Sequence, residues 1–152
     1  MPQARAALRR HFGYPDFRPA QAGVVRSVLT GRDTLAVLPT GAGKSVCFQV
    51  PAVVLGGLTL VVSPLISLMQ DQVAAAGARG IPAAALTGGL TAEEQAVVWD
   101  RIEAGALRLL YLSPERLERT AGELRERGVR PTLLAVDEAH CIAEWGLSLI
   151  HI

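Results

Sequence analysis

The sequence predicts an α/β protein in which a mostly parallel sheet is packed between helices. Short apolar runs alternate with helical stretches through most of the chain, the pattern of βαβ units. The runs are apolar at nearly every position, as strands covered on both faces require. A glycine-rich turn joins the first run to a helix, and such turns are where open α/β sheets keep their ligands. Of the 152 residues, 50% are hydrophobic and 19% charged, which excludes disorder and supplies the core of one ordinary domain. Aromatic residues make up only 5%, so the expected core is aliphatic.

The strands read as Thr34 to Leu38, Leu58 to Val62, Pro82 to Leu86, Leu109 to Leu112 and Thr132 to Val136. Helical stretches fall between them at Lys44 to Leu55, Leu65 to Ala76, Ala92 to Ala104 and Glu115 to Gly128. In the later two, charges such as Glu93, Glu94, Asp100 and Arg101 gather on one side. Two more helices, about Gln3 to His11 and Arg18 to Thr30, precede the first strand. No linker, low-complexity tract or repeat divides the chain, so one three-layer domain is expected.

Net charge is +1, so the average electrostatics argues for neither nucleic acid nor a membrane surface. Fourteen of the 15 basic residues are Arg, and the single Lys is Lys44. The most apolar stretch, Val46 to Met69, is broken by Gln49, Pro51, Gly56, Gly57 and Pro64, which argues against a spanning helix. With no leader-like start, a cytosolic (cytoplasmic) protein is expected. Cys47 and Cys141 form no CxxC pair, so they read as buried reduced thiols rather than zinc ligands or a disulfide.

The glycine-rich turn is Leu38-Pro39-Thr40-Gly41-Ala42-Gly43-Lys44-Ser45. Gly41 and Gly43 permit a tight loop whose N–H groups converge on phosphate oxygens. Lys44 reaches the terminal phosphates, and Ser45 offers a hydroxyl to Mg²⁺. Leu38 stands where the strict phosphate-loop pattern has its first glycine; the GxGKS core after Pro-Thr is a recognised variant.

The last strand ends in Val136-Asp137-Glu138-Ala139-His140. Adjacent carboxylates at the tip of a buried strand are costly to desolvate unless a cation or hydrogen bonds compensate. A metal-bound nucleotide would compensate, with Asp137 binding Mg²⁺ and Glu138 orienting and deprotonating the attacking water; a solvated helix cap is the alternative for such a pair. Ser63-Pro64 and Ser113-Pro114 echo one another, each reading as an N-cap followed by Pro at the first helical position. Exposed helix N-termini bind phosphates without basic side chains, a route to DNA for a nearly neutral chain.

These segments, taken together, resemble the first motor domain of RecQ-type DNA helicases, members of helicase superfamily two. The resemblance runs from Phe12 through Gly146. It is carried by Phe12-Gly13-Tyr14 with Phe17-Arg18 and Gln21, LPTGAGKSVCFQVPA from Leu38, VVSPLISLMQDQV from Val61, LLYLSPERL from Leu109, and LLAVDEAHCIAEWG from Leu133. It implies a RecA-like phosphate-loop NTPase fold that binds ATP with Mg²⁺, Thr40 and Gly41 joining Gly43, Lys44 and Ser45 around the nucleotide. It also implies that Tyr14, Arg18 and Gln21 hold adenine. Gln21 suits donation to and acceptance from the base edge, while Tyr14 or Arg18 suits stacking; an exposed helical residue is the alternative for Gln21. Ser63, Ser113 and Arg116 become candidates for single-stranded DNA contacts, although Arg116 equally suits an ion pair with nearby Glu residues. His140 would link the nucleotide site to neighbouring motifs. Trp145 would open the aromatic-rich loop that couples DNA binding to hydrolysis, a partly buried anchor being its alternative.

After Gly146 the family pattern continues His-Asp-Phe-Arg-Pro, whereas this chain reads Leu147-Ser148-Leu149-Ile150-His151-Ile152. The expectation is therefore a partial ATP-binding domain over residues 1–146 with a non-homologous tail over 147–152, incomplete at its C-terminus. The second motor domain, which the resemblance makes the source of the arginine finger, is expected to lie outside this chain. The parent would unwind forked and duplex DNA while moving 3′ to 5′ on single strands, with no membrane partner. This chain alone would bind ATP weakly and turn it over little. A non-catalytic ATP-binding or interaction module, and an RNA helicase fragment with a DEAH box, are the competing readings; the Ile142 to Gly146 segment and the adenine motif disfavour the latter.

Overall fold

The computed structural model describes residues 1–38 and 43–138. The chain divides into two compact units, residues 1–56 and 57–152, meeting at Gly56 and Gly57, which both take positive φ (68° and 67°).

The first unit is helical: α1 (Pro2–Phe12), α2 (Pro19–Leu29) and α3 (Lys44–Leu55). Proline opens both α1 and α2, where its fixed φ suits the first turn and its missing N–H costs nothing. Arg9, Arg10 and His11 complement the dipole at the end of α1, and Gly13 closes it in the left-handed region, donating its N–H to Arg9 O at 3.1 Å. Ala4, Ala7, Leu8, Val25, Val46 and Val50 form the core of this unit.

The expected first strand, Thr34 to Leu38, is not a strand. Residues 32–38 are irregular, and Leu35 and Val37 are 78% and 87% exposed. An apolar run becomes a strand only when a neighbour satisfies its N–H and C=O groups, and no ladder among the described residues includes it.

The second unit holds a four-stranded parallel sheet, β1 (Thr59–Val62), β2 (Ala83–Leu86), β3 (Leu109–Leu112) and β4 (Leu133–Val136), in the order β2-β3-β1-β4. The crossovers are α4 (Ile66–Ala78), α5 (Ala92–Glu103) and, after a 3₁₀ turn at Pro114–Arg116, α6 (Leu117–Glu126). Moving from β1 across to β2 and then back through β3 to β4, right-handed crossovers put α4 on one face and α5 with α6 on the other. The core agrees: Leu60, Val62, Leu110 and Leu112 pack with Trp99, Ile102, Leu117 and Leu124, while α4 runs along β2 and β3. β1, β2 and β3 are buried throughout; β4, which among the described residues pairs with β1 alone, is half-buried.

Two boundaries differ from the sequence reading for local reasons. The stretch Glu115 to Gly128 is a 3₁₀ turn followed by a shorter α-helix. Ser63 does not cap α4: its Oγ accepts the Leu65 N–H at 3.2 Å, and the helix opens two residues later at Ile66 with Leu65 at the N-cap. Among the described residues no helix is long and apolar enough to cross a membrane.

Thr59, in β1, is fully buried, and its Oγ1 has no hydrogen-bond partner among the described residues. A buried hydroxyl without a partner costs on the order of 1–3 kcal/mol. Thr59→Val keeps the shape and removes that cost, so it should stabilise the chain by about 1 kcal/mol in urea unfolding. A destabilised variant would mean that the hydroxyl is satisfied.

Candidate nucleotide and nucleic-acid site

Within the first unit, the residues of the expected nucleotide site are tied together through Gln21. Its Oε1 accepts the Arg18 N–H at 3.0 Å, completing a capping box at the start of α2. Its Nε2 donates to the carbonyl of Gly43 at 3.2 Å. Gln21 is consequently 4% exposed, not the solvated helical residue that its position alone suggests. Gly43, the N-cap of α3, has φ 73°, and a Cβ there would collide with the Gln21 side-chain amide. Glycine is required at this position both for its conformation and for the closeness of approach.

Lys44 is the first residue of α3 and is exposed; Ser45 follows, half-buried. Among the described residues no side chain caps this helix, and its first turn carries no carboxylate. Uncapped N–H groups headed by a lysine fit the phosphates of a nucleotide in residue type and in polarity. Tyr14 is 52% exposed and stacks on Phe12, with ring centroids 6.4 Å apart. Arg18, the N-cap of α2, is exposed. Thr40 and Gly41 lie outside the described residues, as do His140, Cys141 and Trp145.

Within the second unit the sheet register brings three sequence-predicted segments to one edge. Val62 lies level with Leu112 and with Val136, so Ser63, Ser113 and Asp137 each stand one residue past an aligned strand end. Two backbone bonds extend the ladders beyond the strands: Ser63 N–H to Leu112 O at 3.1 Å and Asp137 N–H to Val62 O at 2.8 Å. Asp137 Oδ1 accepts the N–H of Glu138 at 3.0 Å, and Glu138 has a left-handed φ of 57°. A non-glycine residue in that region stores about 1 kcal/mol or more and is held there by its surroundings. Both carboxylates are half-buried at the carboxyl edge of the sheet, the place where open α/β folds bind ligands.

Ser63 and Ser113 are buried, so what this edge can present to a ligand at those positions is turn backbone rather than hydroxyl. Arg116 is half-buried, with its Nε shielded from solvent and unbonded among the described residues. It forms no ion pair with the neighbouring glutamates; Arg119 takes that role with Glu123 at 3.1 Å. A contact that periodicity does not reveal is Arg127, which lies 4.4 Å above the ring of Trp99 and pairs with Glu103 at 2.8 Å, joining the end of α6 to α5.

A parallel sheet covered by helices, with two carboxylates at its carboxyl edge, defines an α/β domain of the RecA-like kind, and the comparisons agree. The DEAD/DEAH box helicase family model matches residues 18–150, and the chain belongs to that family. It is 45% identical to the ATP-dependent DNA helicase RecQ of Haemophilus influenzae over 95% of its own length and 23% of that protein's. It is 48% identical to RecQ of Synechocystis over 92% of its own length and 30% of that protein's. The chain thus spans less than a third of the length of the curated relatives it matches. Among solved structures, a hypothetical ATP-dependent RNA helicase from Sulfolobus tokodaii superposes with a TM-score of 0.63 at 22% identity, covering 95% of this chain and 43% of that one. An RNA helicase from Chaetomium thermophilum bound to ADP gives 0.65 at 23% identity, covering 96% of this chain and 38% of that one. At those identities the likeness is one of fold.

Gly43→Ala should destabilise the chain by at least about 1 kcal/mol in thermal or urea unfolding, from the left-handed φ together with displacement of Gln21. Parental stability for this variant would exclude the close approach of the two residues. Cys47, buried in α3, has its thiol pushed above the ordinary value by desolvation. Its native state holds the proton longer than the unfolded chain does, so its contribution to stability is complete below the ordinary thiol pKa and is lost as pH rises above it. At pH 8 alkylation of Cys47, followed by peptide mass spectrometry, should be about tenfold or more slower in the native chain than in the unfolded one.

Proposed function

We propose that this chain is the ATP-binding portion of an ATP-dependent DNA helicase. In this reading Thr40, Gly41, Gly43, Lys44 and Ser45 cradle the triphosphate, and Ser45 with Asp137 holds Mg²⁺, whose charge stabilises the transferring phosphoryl group. Glu138 takes the proton of the attacking water. Tyr14, Arg18 and Gln21 recognise adenine, Gln21 exchanging part of its present bonding for the base edge. Ser63, Ser113, Arg116 and Trp145 face single-stranded DNA. The whole protein would couple hydrolysis to 3′ to 5′ movement and to opening of forked DNA. Its second motor domain would supply the arginine finger, so this chain by itself turns over little ATP. The observation that carries the reading is the uncapped N-terminus of α3, opened by left-handed Gly43 and headed by Lys44. The names of the RecQ relatives support the choice of DNA.

Titration with a fluorescent ATP analogue tests this directly. Lys44→Ala should weaken binding about tenfold or more, the loss expected when a charge-assisted phosphate contact is removed. Equal binding by parent and variant would remove the assignment. Glu138→Gln should retain nucleotide affinity. An ATPase rate of the unaltered chain that rises strongly with single-stranded DNA would contradict its dependence on a second domain.

A further inference from the structure

The net charge of +1 conceals a segregation. Residues 1–56 contain six Arg and Lys44 against only Asp16 and Asp33, a formal +5, whereas residues 57–152 contain eight Arg against twelve carboxylates, a formal −4. Of the two acids in the first unit, Asp16 is engaged by Arg5 at 3.3 Å. Arg10, Arg26 and Arg32 are exposed, and no ion pair among the described residues involves them.

The end of α2 adds order to this charge. Thr30 Oγ1 donates to Ser27 O at 2.9 Å, the Arg32 N–H donates to the same carbonyl at 3.2 Å, and the hydroxyls of Ser27 and Thr34 bond each other at 2.8 Å. Gly31, at φ 80°, turns the chain, and its N–H donates to Val28 O at 3.0 Å. Arg26 and Arg32 therefore stand on one turn whose backbone is already fixed. The dipole of α2 accounts for a cation at Arg26, but Arg32 lies beyond the helix, tied to it by its backbone N–H, and its guanidinium forms no ion pair among the described residues.

We propose that this turn and the surrounding basic surface of the first unit form a contact for the phosphate backbone of single-stranded DNA, outside the motif blocks. The inference rests on the DNA helicase reading and extends it. A strand presents one charge per nucleotide and matches cations spread over several elements, whereas one nucleotide matches a focused site such as Lys44 with its helix N-terminus. Arg26 and Arg32 lie within the matched residues 18–150 but in none of the motif blocks, and neither belongs to the proposed nucleotide site.

The test uses the full chain and a fluorescein-labelled 20-nucleotide oligothymidylate, with anisotropy read across a salt series. Arg26→Glu with Arg32→Glu should weaken binding at least about fivefold and make the log–log salt slope shallower by about 1.4, the value for two lost single-strand phosphate contacts. Arg125→Glu with Arg130→Glu changes net charge equally on the second unit and should shift binding less than about twofold. Circular dichroism confirms that both variants fold, and nucleotide affinity should be unchanged in both. Equal weakening by the two pairs, or none by the first, overturns the proposal. Loss of nucleotide affinity with the first pair overturns it too, assigning the charge to nucleotide capture. Nucleotide binding without oligonucleotide binding by the parent refutes the contact and leaves the nucleotide-site assignment standing; absence of both removes the two together.

Discussion

The register of β1 with its two neighbours is the constraint on which the candidate chemistry of the second unit depends. Because Val62 is level with both Leu112 and Val136, the chain leaves all three strands at the same height. The bonds from Ser63 to Leu112 and from Asp137 to Val62 then carry the ladder into the turns. A one-residue slip of β4 would turn Leu134 and Val136 out of the core they share with Leu60 and Leu112. The packing that buries the sheet therefore also fixes where Asp137 and Glu138 stand. Packing and placement of the carboxylates are one requirement here.

The first unit solves a different problem by different means. Its helices share an apolar core that includes Val25, Val46 and Val50, and the Gln21 amide adds a polar tie from α2 to the start of α3. Gln21 closes the first turn of its own helix with one atom and reaches Gly43 with the other. In the proposed site, base binding by Gln21 would compete with a bond that the chain already makes. Lys44, the one Lys among cations that are otherwise Arg, would suit that site, since a planar guanidinium fits poorly between phosphates.

What was legible in the sequence follows from whether local information suffices. The four strands of the sheet and the six helices were readable because their apolar pattern and their Pro and Gly boundaries are local signals. Thr34 to Leu38 carries the same apolar signal and was misread, since a strand is a relation between two segments and no composition of one segment specifies its partner. The Ser-Pro echo was half right: Ser113 stands at the N-cap of its 3₁₀ turn, whereas Ser63 folds back on Leu65 and delays the helix. Burial of Gln21 was invisible because its partner Gly43 is 22 positions away. Charge segregation was present in the sequence throughout, but it has meaning only once the boundary at Gly56 and Gly57 is known.

The run from Thr34 to Leu38 also bears on how the chain behaves in concentrated solution. Leu35 and Val37 stand in solvent on a backbone that no ladder among the described residues satisfies, and β4 has a described neighbour along one side only. Together these supply a sticky apolar segment and a strand with an open flank, the two ingredients of pairing between molecules. Yield and shelf life of this chain would then be governed less by the depth of its cores than by what shields those few residues, and a solubilising charge placed at Leu35 would do more than any improvement in core packing.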